Sequence, residues 1–154
     1  MPSIKLGPII IGVKNIEKAK IFYENVFELK IHTQSKNYLS CYLGETHIEL
    51  EEDSNNRFPN WAKHNIGTYK NSQFIVENID EFVAKVVQFR GKVISLPRAQ
   101  PWGGINAEIA DPDRNIFLIS QEWPFLSIQA FPKQLPNHLK GFMDNLILNH
   151  DNFR

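Results

Sequence analysis

The chain has 154 residues, of which 42% are hydrophobic and 12% aromatic, enough for one packed domain or two small modules sharing a core. Lys plus Arg equals Asp plus Glu at 17 each, which removes the net field that nucleic acid or an anionic membrane surface would need. One cysteine, Cys41, excludes intrachain disulfides and Cys-rich zinc sites, and the longest apolar run, Ile9-Ile10-Ile11, is far too short for a bilayer span, so a cytoplasmic protein is expected.

Residues 8–14 are apolar and rich in isoleucine, which predicts a strand. Asn15 then caps a helix over 16–27, where Ile16, Ala19, Phe22, Tyr23 and Val26 recur at helical spacing. Short β-like runs follow at 28–33, 37–43 and 46–52, the last two joined by a turn at Gly44-Glu45. Residues 53–67 are polar and turn-rich, and read as a linker.

The second half repeats the first. Val13-Lys14-Asn15-Ile16-Glu17-Lys18 returns as Val76-Glu77-Asn78-Ile79-Asp80-Glu81, and at the same offset Ile31 meets Ile94. A strand over 69–77, a cap at Asn78 and a helix over 79–90 follow, with Gly91 placed to end that helix in the left-handed conformation. Strands at 92–96, 104–110 and 115–121 complete the copy, the last two joined by Asp111-Pro112-Asp113-Arg114. Two copies are too few for a solenoid. They predict an α+β domain over 1–122, built from βαβββ module one (7–52) and βαβββ module two (68–121), with curved mixed sheets around a cleft.

Residues 123–154 have no counterpart in the first half. An aromatic stretch (Trp123, Phe125, Phe131) leads to a helix from about Pro136, with Leu135, Leu139, Phe142 and Leu146 on one face. Packing of this extension on its own domain is the reading preferred over docking on a partner.

Three passages carry a resemblance. They are the Val-x-Asn-Ile entries into the helices, the first of which holds Phe22-Tyr23; Pro101-Trp102-Gly103; and Asp111-Pro112-Asp113-Arg114-Asn115. Together they resemble the vicinal oxygen chelate superfamily, the glyoxalase/bleomycin-resistance/dioxygenase fold. The superfamily's hairpin usually reads Asp-Pro-Asp-Gly-Asn, and Arg114 replaces its glycine. A positive φ at Arg114 would cost about 1 kcal/mol, unless Asn115 took the strained conformation instead.

The resemblance implies four metal ligands, two His and two Glu, on the concave sheet faces. Those positions hold Pro8, Asn71, Glu49 and Leu118, so three of the four lack the expected ligand. Strand alternation puts His47, Glu49 and Glu51 on one face, and Tyr38, Ser40 and Tyr42 on another, opposite Leu39, Cys41 and Leu43. Ile10, Asn71, Gln73, Ile116 and Leu118 complete the concave positions.

The expected function is therefore a binding protein similar to bleomycin-resistance-type members, holding an amphipathic or aromatic small molecule without metal or other cofactor. Candidate contacts are Tyr38, Tyr42, Glu49, Gln73, Trp102 and Leu118. The alternative is a metal-dependent lyase, isomerase or dioxygenase, with one divalent transition metal on His47 and Glu49, helped by His32 or Glu108. Glu49 is then the candidate general base. The acidic run from Glu45 to Asp53 reads as solvated strand ends, and Cys41 as an inert buried thiol. The resemblance also implies a homodimer.

Overall fold

A computed structural model describes residues 3–54 and 58–122. The aromatic stretch and helix expected over 123–154 lie outside the described residues. Module one comprises β1 (Ile9–Val13), α1 (Ile16–Val26), β2 (Lys30–Ser35), β3 (Tyr38–Leu43) and β4 (Thr46–Glu52). After α2 (Trp61–Asn65), module two comprises β5 (Tyr69–Ile75), α3 (Ile79–Gln88), β6 (Lys92–Ala99), β7 (Ile105–Ala110) and β8 (Ile116–Gln121). Each module is β-α-β-β-β.

The two sheets have matching orders, β1-β4-β3-β2 and β5-β8-β7-β6. In each, the first strand runs parallel to the last, and the other pairs are antiparallel. A parallel pair needs a crossover, and the helix supplies it. Both helices start alike because the same side chain caps them. Asn15 Oδ1 accepts from Lys18 N–H at 2.9 Å, and Asn78 Oδ1 accepts from Asp80 and Glu81 N–H at 3.1 Å each.

One core serves both modules. Sheet one contributes Ile11, Val13, Leu39, Cys41, Ile48 and Leu50, and sheet two contributes Phe74, Ala107, Ile109, Phe117 and Ile119. The helices add Ile16, Phe22, Tyr23, Val26, Ile79, Phe82 and Val86. Phe27 sits at the centre, its ring 4.7 Å from Phe74, 5.2 Å from Phe117 and 5.4 Å from both Tyr23 and Phe82. Such aromatic pairs add about 0.5–1.5 kcal/mol each beyond the area they bury. Because each sheet turns one side to this core, its other side faces outward.

Several details depart from the expected pattern. The run at 28–33 is displaced to Lys30–Ser35, because Glu28 takes φ 56° after the helix and pairing starts only at Lys30. The linker at 53–67 contains α2, which Asn60 caps by accepting from Lys63 N–H at 3.3 Å. Gly91 does not end α3 in the left-handed conformation; Arg90 does, at φ 69°. Arg90 N–H bonds the Val87 carbonyl and Gly91 N–H the Val86 carbonyl, a Schellman closure with arginine at its left-handed position. Glycine is needed at 91 for space, since a Cβ there would lie 2.7 Å from the Ala110 carbonyl oxygen and 2.8 Å from the Phe22 ring.

Candidate functional site

On module one, the antiparallel register of β3 and β4 sets Ser40 opposite Glu49 and Tyr42 opposite His47. Regular alternation puts Leu39, Cys41, Ile48 and Leu50 into the core, so Ser40, Tyr42, His47 and Glu49 share the other face with Tyr38. They are bonded among themselves. Tyr38 Oη donates to Glu49 Oε1 at 2.7 Å, and Ser40 Oγ lies 2.8 Å from His47 Nε2. Tyr42 stacks on the His47 ring at 4.9 Å with 10° between planes, and His32 meets the Tyr42 ring edge-on at 5.7 Å. Burial, then the hydrogen bond to Glu49, raises the Tyr38 phenol.

Glu49 Oε1 is 3.6 Å from His47 Nε2, the same nitrogen that Ser40 contacts. A serine nucleophile relay needs its carboxylate on the opposite ring nitrogen, so this trio is not one. The acidic strand end is not simply solvated either, which corrects the expectation for that run. Glu51 is 1% exposed, and Glu52 Oε2 accepts from Ile16 N–H at 2.9 Å.

On module two, a broad open cavity of about 720 Å³ lies against β6, β7 and β8. Leu96, Pro97 and Leu118 form an apolar wall, while Arg98, Asn106 and Glu108 bring polar groups. Ser95 Oγ donates to Glu108 Oε2 at 2.7 Å. Burial, then the charge of Glu108, raises the Tyr69 phenol. Gln73 Nε2 donates to Ser120 Oγ at 2.6 Å, and Ser120 Oγ donates to Asn106 Oδ1 at 2.8 Å.

A buried polar junction holds the modules together. Asp111 Oδ2 accepts from Tyr23 Oη at 2.6 Å and from Asn115 Nδ2 at 2.8 Å. Its Oδ1 accepts from the N–H groups of Asp113 and Asn115. Asn115 Nδ2 also donates to the Gly12 carbonyl at 2.9 Å, and Lys14 N–H donates to Asp113 Oδ2 at 2.8 Å. Burial raises the Asp111 carboxyl against the hydrogen bonds that lower it, and burial with the Asp111 charge pushes the Tyr23 phenol well up. Next to this knot, Lys70 Nζ donates to the carbonyl and Oδ1 of Asn65 and to Thr68 Oγ1. Burial lowers this ammonium to about 8.

The structure thus brings Tyr38, Tyr42, His47 and Glu49 into one bonded group on module one. Gln73 and Leu118 are cross-strand partners on module two, with Leu118 in the cavity wall. Trp102 stands in the turn between β6 and β7, 77% exposed and outside that wall. Cys41 is buried, and its thiol is pushed up to about 11 by that burial. Strand alternation leaves Asn106 and Glu108 opposite the core residues Ala107 and Ile109, but a bulge on β6 hides Ser95 from it. Pro97 inside a strand run is the available signal, since proline in a strand marks an edge or a bulge.

The four positions at which the fold implies metal ligands do not fit a metal. Pro8 and Leu118 offer no side-chain donor, Asn71 offers only an amide, and Glu49 is engaged by Tyr38. Nor do the displaced candidates converge. His32 meets Tyr42, Glu108 bonds Ser95 on the other sheet, and among the described residues no three His, Cys, Asp or Glu side chains form a metal-binding group. No helix among the described residues is long and apolar enough to cross a membrane.

Two tandem βαβββ modules, each with a four-stranded mixed sheet, are the architecture of the vicinal oxygen chelate superfamily. Residues 6–123 match the Glyoxalase-like domain family, and the chain belongs to it. No curated protein matches. Among solved structures, it is similar to a glyoxalase-related enzyme from Fulvimarina pelagi, at 18% identity and TM-score 0.64 over 80% of this chain and 93% of that one. A glyoxalase/bleomycin resistance protein/dioxygenase family enzyme from Burkholderia phytofirmans gives 19% and 0.64 over 75% and 96%. The fosfomycin resistance protein FosX from Listeria monocytogenes gives 20% and 0.61 over 80% and 97%. At these identities the likeness speaks for the fold.

Proposed function

We propose that this protein binds an amphipathic or aromatic small molecule on the outer sheet faces, without a metal, in the manner of bleomycin-resistance-type members. The observation that carries this reading is the replacement of three of the four expected ligands by Pro8, Asn71 and Leu118, the last of which lines the module-two cavity. Its volume of about 720 Å³ is drug-sized. Tyr38, Tyr42 and Glu49 supply an aromatic and polar surface on module one, and Gln73 and Leu118 anchor the second. Trp102, exposed at the turn, is available to stack on a flat ligand. As part of the same reading the protein works as a homodimer in the cytoplasm.

Metal analysis and thermal shift with Ni, Zn, Fe, Mn and Co test it. The expected result is substoichiometric metal and no specific rise in melting temperature. Stoichiometric tight metal with a large rise overturns the reading.

The proximity of His47 to Glu49 favours a second one, a metal-dependent lyase, isomerase or dioxygenase with Glu49 as base. It requires Glu49→Gln to abolish metal uptake and turnover together, and loses its support if that variant binds metal as the parent does.

A further inference from the structure

The geometry points to an anion-selective corner in the module-two cavity, formed by Arg98 and Asn106 and set by Gln73, which takes an amphipathic ligand by its negatively charged head. This rests on the small-molecule reading above and names the ligand class for that site.

The backbone builds the corner with two bulges. Val93 pairs with Ile109, but Ser95 pairs with Glu108, so two steps on β6 match one on β7. From Ser95 to Arg98, three steps match the two from Glu108 to Asn106. Each extra residue reverses the parity of the strand beyond it. The first shift puts Ser95 on the cavity side while Val93 stays with the core residue Ile109. The second reverses the parity again, so that Arg98, like Ser95, stands on the cavity side. Arg98 and Asn106 are direct cross-strand partners and both line the cavity.

A donor relay then fixes what Asn106 presents. Gln73 Nε2 occupies Ser120 Oγ as acceptor, so the Ser120 proton goes to Asn106 Oδ1. The Asn106 carbonyl is thereby engaged, and its amide N–H groups are left to face a ligand. Arg98 carries only donors, and among the described residues it has no carboxylate partner. The corner therefore offers hydrogen-bond donors and a positive charge. Its opposite pole, Glu108, lies two residues along β7, roughly 7 Å away, and already accepts from Ser95. Leu96, Pro97 and Leu118 provide the apolar wall for the ligand body. Carboxylate, phosphonate and sulfonate heads share the chemistry this corner accepts.

Calorimetric titration of the full chain with 2-naphthoate, 2-naphthylphosphonate, 2-naphthamide and 2-naphthylmethylammonium tests the inference, with acetate and inorganic phosphate as heads lacking a body. The two naphthyl anions are expected to bind at least tenfold tighter than the amide, the ammonium or either bare head. Arg98→Gln should cost the anions tenfold or more while changing the amide less than twofold, and Arg98→Lys should restore part of the loss. Gln73→Met frees Ser120 and lets the Asn106 amide turn, so it should lower the anion-to-amide ratio. Equal binding of naphthoate and naphthamide by the parent overturns the inference and leaves the small-molecule reading standing, as does tight binding by phosphate alone. Failure of every naphthyl probe to bind overturns both.

Discussion

The hairpins that join the third and fourth strands of the two modules occupy the same place in the repeat and do opposite things. In module one, Gly44-Glu45 turns tightly at the surface, with Gly44 at φ 58° and nothing within 4 Å of where a Cβ would stand. In module two, Asp111 to Asn115 is folded inward, and its side chains bond Tyr23, Gly12 and Lys14 of the other module. The repeat supplies two like scaffolds, and of their two hairpins the one in module two reaches across to join them. The outer faces diverge likewise. Module one bonds its polar groups to one another, whereas module two directs a relay toward an open cavity.

Removing Asp111 breaks this asymmetry most severely. Asp111→Ala leaves the Tyr23 hydroxyl, the Asn115 amide and two backbone N–H groups without their acceptor in a buried setting. The expected loss is about 3–5 kcal/mol, read from the urea midpoint. Glu45→Ala in the matching exposed hairpin should stay within about 0.5 kcal/mol. Equal effects at the two positions would show that the inward hairpin does not hold the modules together.

The fold was legible because its signals are local. Asn15 and Asn78 cap helices whose apolar residues recur at helical spacing, and β3 pairs with β4 in unbroken register, so alternation gave the outer face at Tyr38, Ser40, Tyr42, His47 and Glu49. On β6 the same rule failed at Ser95, where one bulge reverses the parity on which it depends, and a second bulge restores the original parity at Arg98. The junction was hidden for another reason. Asn115 and Gly12 meet across 103 positions of sequence, and no periodicity encodes such a contact. The motif Asp111-Pro112-Asp113-Arg114-Asn115 was visible as a turn, but its bonding to module one was not.

The module-one side of the junction gives a smaller effect. Gly12 N–H donates to Asn65 Oδ1 at 2.7 Å, and a Cβ at Gly12 would lie 2.8 Å from the Ala62 Cα and 2.9 Å from its carbonyl oxygen. Both neighbours are backbone, so Gly12→Ala must push α2 away from β1, at a cost of about 1–3 kcal/mol. Gly7→Ala, with open space around it, is the control and should be near neutral. If Gly12→Ala leaves the urea midpoint unchanged, α2 is not held closely against β1.

The smallest effect separates the two hairpins by backbone alone. Arg114 takes φ 68° itself, so Asn115 does not absorb the strained conformation and instead commits its side chain to the junction. Relieving a left-handed residue gains about 1–2 kcal/mol, while glycine's freedom in the unfolded chain costs about 0.4–1 kcal/mol. Relief wins narrowly, and Arg114→Gly should stabilise by about 0.5 kcal/mol. In module one the positive φ already falls on a glycine, Gly44, so Gly44→Ala should destabilise by about 1 kcal/mol, with no steric clash contributing. Opposite signs from these two substitutions, measured in one urea series, would show that each turn requires a positive φ and that only module one has the residue suited to it. A destabilised Arg114→Gly would instead mean that the arginine side chain stabilises its hairpin by more than the strain it imposes.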